Sequence, residues 1–150
     1  MAEPTTPLGG VFARYVGLQE RLAADDEAGA KQAVKELLAA VLTATGDSTI
    51  EGPTMMLLHG MHSDLLKAEK AAGIEALRTA FRSLSERLIA IDEAEGNPLT
   101  KDIQLVHCPM AFEDEGADWF QIGETVSNPY FGSLMLTCGE IRRVSPAGGK

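Results

Sequence analysis

Two cysteines, six methionines and three histidines are the residues of this chain best suited to chemistry. Cys108-Pro109-Met110 and Met135-Leu136-Thr137-Cys138 each join one thiol to one thioether. Cys108 and Met110 are two apart, so an extended segment turns both to one side. Met135 and Cys138 are three apart, so a helical turn turns both to one face. Two such pairs facing each other would make a four-sulfur site. Thiolate with thioether is the donor set that favours Cu(I) and, by extension, Ag(I). A site using both methionines disfavours zinc, which rarely takes thioether. Plainer roles fit the same residues. Methionine fills irregular gaps in a core, and two cysteines can pair as a disulfide or stay as buried thiols.

A second concentration lies upstream. Met55, Met56, His59, Met61 and His62 fall within eight residues. Met55, His59 and His62 stand at i, i+4 and i+7, one face of a helix. A bundle helix with core methionines and exposed histidines explains the pattern. Alternatively, His59 and His62 complete the site of Cys108 and Cys138 or form one of their own. A cap folding back over this helix would yield a Cys2His2-like set, suited to zinc or Cu(II).

Enzymatic motifs are lacking. No glycine-rich phosphate loop precedes a helix. Ser63 and Ser85 have no base-and-acid pattern around them. Glu113 to Asp118 is acidic but lacks the alternation of a calcium loop, and reads as a solvated turn. His107 beside Cys108 imitates a nucleophile and base, yet neighbours in an extended segment point apart. The reading is of a non-enzyme.

The elements that must position these residues are mostly helical. Phe12, Tyr15, Val16, Leu18, Leu22 and Ala23 keep close to helical spacing. Asp25 and Asp26 break that stripe and can cap a second helix. The second runs about Glu27 to Thr43 on Ala30, Val34, Leu37, Leu38, Val41 and Leu42. A third spans about Thr54 to Ala72, with Met55, Leu58, Met61, Leu65, Leu66 and Ala68. Gly60 sits inside it at a cost of about 1 kcal/mol relative to alanine. A fourth spans about Ile74 to Ala94 on Ile74, Leu77, Phe81, Leu84, Leu88 and Ile91. Arg78, Arg82, Glu86 and Arg87 fall on or near its wet side. Short links between four amphipathic helices predict an antiparallel four-helix bundle.

After Gly96-Asn97-Pro98 the pattern changes. Ile103, Leu105 and Val106 make a β-like run into His107 and Cys108, and Trp119 to Ile122 another. Ser133 to Cys138 reads as a helical turn, with Gly139 in the place of a left-handed stop. The expected architecture is mostly α: residues 1–10 a flexible lead-in, 11–141 a single domain and 142–150 a tail. Within the domain, 11–95 form the bundle and 96–141 an irregular cap with one or two short β segments.

The chain has 150 residues and formal net charge −9. That length suits one domain with a real core. The acidic balance argues against a nucleic-acid phosphate backbone as partner and against an anionic membrane surface. No apolar run reaches the roughly 18 residues of a membrane span, and Met1 to Gly10 lack the form of a signal peptide.

The ordered set His107-Cys-Pro-Met-Ala-Phe, Gly116-Ala-x-Trp119, Asn128-Pro-Tyr-Phe-Gly132 and Met135-x-x-Cys138-Gly-Glu140 resembles one family. It is similar to the small C-terminal domain of copper/silver efflux periplasmic adaptor proteins, a domain of formally unknown function that also stands alone. Tyr15, the Asp25-Asp26 break and Arg78, Phe81, Leu84 and Ser85 match its helical layout. The resemblance implies a periplasmic heavy-metal-binding module that captures, transfers or senses Cu(I) or Ag(I), as a metallochaperone does. An efflux adaptor or pump component would be its partner. It carries the metal-ligand role to Cys108, Met110, Met135 and Cys138. Pro109, Asn128, Pro129, Tyr130, Gly132 and Gly139 would shape the motif. His107 stands where relatives often have an aromatic residue, and adds a nitrogen ligand or a donor to one. A periplasmic place implies that an export signal is absent from this sequence. The alternative from another class is a structural or protein-interaction domain pinned by a Cys108–Cys138 disulfide, and a third reading is a Cys/His zinc site.

Overall fold

The computed structural model describes residues 6–148. Four helices, α1 (Pro7–Ala23), α2 (Glu27–Thr45), α3 (Gly52–Glu69) and α4 (Ile74–Glu95), form the bundle. Three strands follow, β1 (Ile103–Cys108), β2 (Ala117–Gln121) and β3 (Glu140–Ser145). They form an antiparallel sheet in the order β2-β1-β3. The helical bundle with a β-containing cap is as expected. No helix among the described residues is long and apolar enough to cross a membrane.

The ends of the chain differ from expectation. Residues 1–5 of the lead-in lie outside the described residues, but helix begins at Pro7. There the Thr6 hydroxyl accepts the Gly9 N–H at 3.0 Å and Pro7 sits in the first turn, a favoured start. Residues 142–145 are strand, not tail. Asp92 of α4 accepts from both Arg143 and the Ser145 hydroxyl, which ties β3 to the bundle.

The helices obey their stripes with two kinds of exception. Leu42 and Leu66, expected in the core, are about half exposed. Arg78, expected on the wet side, is buried. Gly60 has a local reason: a Cβ there would collide with the Arg87 guanidinium, which crosses α3 to meet Asp64 at 2.9 Å.

The cap docks through β2, which packs against α4 and α1. As an edge strand β2 presents unpaired backbone groups, and tyrosine hydroxyls meet them. The Phe120 N–H donates to Tyr15 Oη at 3.1 Å, and Tyr130 Oη donates to the Asp118 carbonyl at 2.7 Å. Ser85 of α4 lies between the two hydroxyls, 2.7 Å from Tyr15 and 3.3 Å from Tyr130. Burial pushes both phenols well above their ordinary pKa. The Tyr15 ring stacks on Phe81, with centroids 4.7 Å apart. On the far edge, Leu105 pairs with Arg143 and Val106 with Ile141, so Arg142 is an extra residue, a bulge.

Candidate metal centre

Cys108 ends β1 with its side chain on the same buried face as Val106, opposite Ala117. The segment after β2 returns across this face. Gly139 makes the return possible. Its φ is 148°, and a Cβ would stand 3.0 Å from both Trp119 and Val106. The crossing sets Cys138 against Cys108, with the sulfurs 3.1 Å apart. Cys108 is fully buried and Cys138 is half-buried. Burial, then the neighbouring Cys108 thiol, pushes the Cys138 thiol up to about 11, partly opposed by a hydrogen bond from the Met110 backbone.

Asn128 holds this crossing in place. It is fully buried and uses every polar group. Its side-chain amide donates to the Cys138 carbonyl at 2.8 Å, and its own N–H reaches the Leu136 carbonyl. Its side-chain oxygen accepts from the N–H groups of Tyr130 and Phe131. The Pro129 carbonyl accepts from Arg78 Nε at 2.8 Å. Arg78 also donates to the Leu22 carbonyl, Asp25 and Glu75. Asp25 in turn accepts the Ser133 N–H at 2.9 Å; the Ser133 hydroxyl, then Arg78 and that N–H, lower its pKa to about 2. Gly132, at φ 58°, passes where a Cβ would strike the Asp25 carboxylate.

The methionines are placed less tightly. The expected helical turn at 133–138 is only a 3-10 turn over Gly132–Leu134. Met135 has φ −147° and ψ 58°, so Met135 and Cys138 do not share a helical face. Met135 is half-buried, and Met110 is 47% exposed. Pro109, also exposed, follows Cys108 directly as the chain leaves β1.

The histidines stand elsewhere. His107 alternates to the opposite side of β1 from Cys108, where its Nδ1 lies 2.6 Å from Asp118 Oδ1. A carboxylate only accepts, so Nδ1 carries the proton. His59 and His62 are on α3, which packs against α2 and α4, whereas the cap docks on α4 and α1. Among the described residues no three or more His, Cys, Asp or Glu side chains gather as a metal site. The Cys2His2-like set expected from a cap over α3 is therefore not assembled.

Sequence reading passes over Asp92, sets Arg78 on the wet side and takes Ser85 only as part of a layout match, although all three continue the α4 stripe with Phe81 and Leu88 at i+3 and i+4 spacing. A polar residue on an apolar stripe was the available signal.

A protein-family model described as a protein of unknown function, DUF3347, matches residues 11–98, more than half of the chain. The matched stretch includes Tyr15, Asp25, Arg78 and Ser85 and ends before β1. No curated protein matches, and no solved structure matches.

Proposed function

The chain belongs to the DUF3347 family, and from that premise we propose that its cap binds a soft monovalent metal, Cu(I) or Ag(I). The observation that carries the reading is the thiol pair 3.1 Å apart, one sulfur buried and one reaching the surface. Two thiolates at about 2.3 Å from one ion in a tetrahedral arrangement stand roughly 3.8 Å apart. The pair needs to open by less than ~1 Å to admit an ion. Cys108 and Cys138 serve as anchors. Met110, two residues after Cys108, and Met135, three before Cys138, are the sources of thioether. The ion displaces the thiol protons, so binding releases protons and strengthens as pH rises.

In this reading the protein is a periplasmic binding module, not an enzyme. It captures, hands over or senses copper or silver for a heavy-metal efflux system, with an adaptor or pump component as partner. The Cys-Pro-Met and Met-x-x-Cys-Gly-Glu motifs support that assignment. Anaerobic Cu(I) titration against a chromophoric chelator tests it. Replacing Cys108 and Cys138 by serine removes the tight equivalent. Unchanged stoichiometry and affinity in that variant would reject the site.

The same separation supports a second reading, a structural disulfide. The sulfurs stand about 1 Å beyond bonding distance, which small side-chain rotations close. A free-thiol count by mass after purification in air separates the two. Quantitative loss of both thiols, resistant to mild reduction, favours the disulfide.

A further inference from the structure

The Met- and His-rich turn of α3 is not used by the thiol site, and its residues are arranged in their own right. Helical geometry over Gly52–Glu69 places Met55, His59 and His62 within one narrow stripe, with Met56 a third of a turn away. The core-facing side of the same helix is Leu58, Met61, Leu65 and Ala68. His59 and His62 lie outside that set, and Met55 is at its margin, packed against the core from one side. His59 is exposed, Met55 and His62 are half-buried, and Met56 is 75% exposed. A methionine so open contributes little to packing. Among the described residues, hydrogen bonds and ion pairs engage His107 but neither His59 nor His62. Arg87 lies on the Gly60 side of the helix and is paired with Asp64.

We propose that Met55, His59 and His62 form a second, surface metal site for Cu(I) or Ag(I), separate from the thiol pair. His59 stands about 5–6 Å at Cβ from both Met55 and His62, while Met55 and His62, seven residues apart, are about 10 Å apart along the axis, so His59 is the central ligand. Imidazole nitrogens bind such ions at roughly 2 Å, so rings from adjacent turns converge on one ion. Imidazole with thioether is a soft to borderline set, suited to Cu(I). Neutral ligands leave the site cationic and open to water, as fits a docking point for ions in transit. The site does not depend on the cysteines.

Silver nitrate titration followed by NMR of the imidazole rings and methionine methyls tests this in the full chain. In the C108S/C138S variant one Ag(I) equivalent is retained, and the His59, His62 and Met55 signals move together. In the H59A/H62A variant with both cysteines intact, one equivalent is lost while the melting temperature stays unchanged. The proposal is overturned if the cysteine-free chain shows no shift at His59 and His62. It is also overturned if H59A/H62A binds as much Ag(I) as the parent. Failure of the thiol reading looks different, since C108S/C138S then binds as many Ag(I) equivalents as the parent while the His59 and His62 signals still move.

Discussion

Asn128 and Tyr15 show how single polar side chains set the geometry of this cap. Asn128 gives its amide to the segment that carries Cys138 and its oxygen to the turn that carries Tyr130. An alanine there leaves several buried backbone groups without partners, at about 1–3 kcal/mol each before relaxation. Asn128→Ala is expected to lose about 3 kcal/mol in urea unfolding and to speed the reaction of Cys138 with a thiol reagent. Equal stability and equal reactivity would show that the turn holds itself. Tyr15→Phe keeps the stacked ring and removes only the hydroxyl. It strands the Phe120 N–H at the edge of β2 and is expected to cost about 2 kcal/mol. A neutral result in chemical denaturation would mean that water replaces the hydroxyl.

At the scale of elements, the α1–α2 turn grips the loop over the thiols through Asp25. Its folded pKa, about 2, lies below the ordinary carboxylate value. A depressed pKa adds stability that is present above the unfolded value, near 4, and lost as pH falls toward 2. Urea midpoints should therefore fall between pH 4 and pH 2, and Asp25→Asn should flatten that part of the profile. Because Asp25 is more than a third exposed, solvent reduces the energy involved. A variant with the parent's pH profile would remove Asp25 from this role. The four helices and two of the three strands were legible as periodic stripes, because bundle packing and the pleat impose those periods. β3 was not. The bulge at Arg142 places its apolar residues Ile141 and Val144 three apart, which breaks the alternation of a strand. The pairing of Cys108 with Cys138 is suggested in the sequence by residue type, by the spacing of each cysteine to a methionine and by the family resemblance. What brings them together, Gly139 passing over Trp119 and Asn128 fixing the return, is long-range and leaves no local pattern. Likewise, the distance of His59 and His62 from the thiols follows from which helices the sheet docks on.

At the scale of the molecule, bundle and cap are cross-linked at three levels: Arg78 to Pro129, Tyr15 to β2 with Ser85 to Tyr130, and Asp92 to β3. Each link joins a buried helical side chain to the cap. The chain is expected to unfold as one unit. Trp119, the single tryptophan, is fully buried in the sheet and reports the cap, while circular dichroism at the helical band reports the bundle. The two melting curves should coincide. A tryptophan transition that precedes the helical one would show a cap that opens alone. The treatment of the sheet's margins has a further consequence for encounters with other proteins. One margin is sealed by phenolic hydroxyls, and the other is kinked and carries guanidinium charge at Arg142 and Arg143. Neither is a flat template for backbone zippering. The molecule is thereby protected against β-polymerisation, and encounters with other proteins run through side chains instead of backbone pairing.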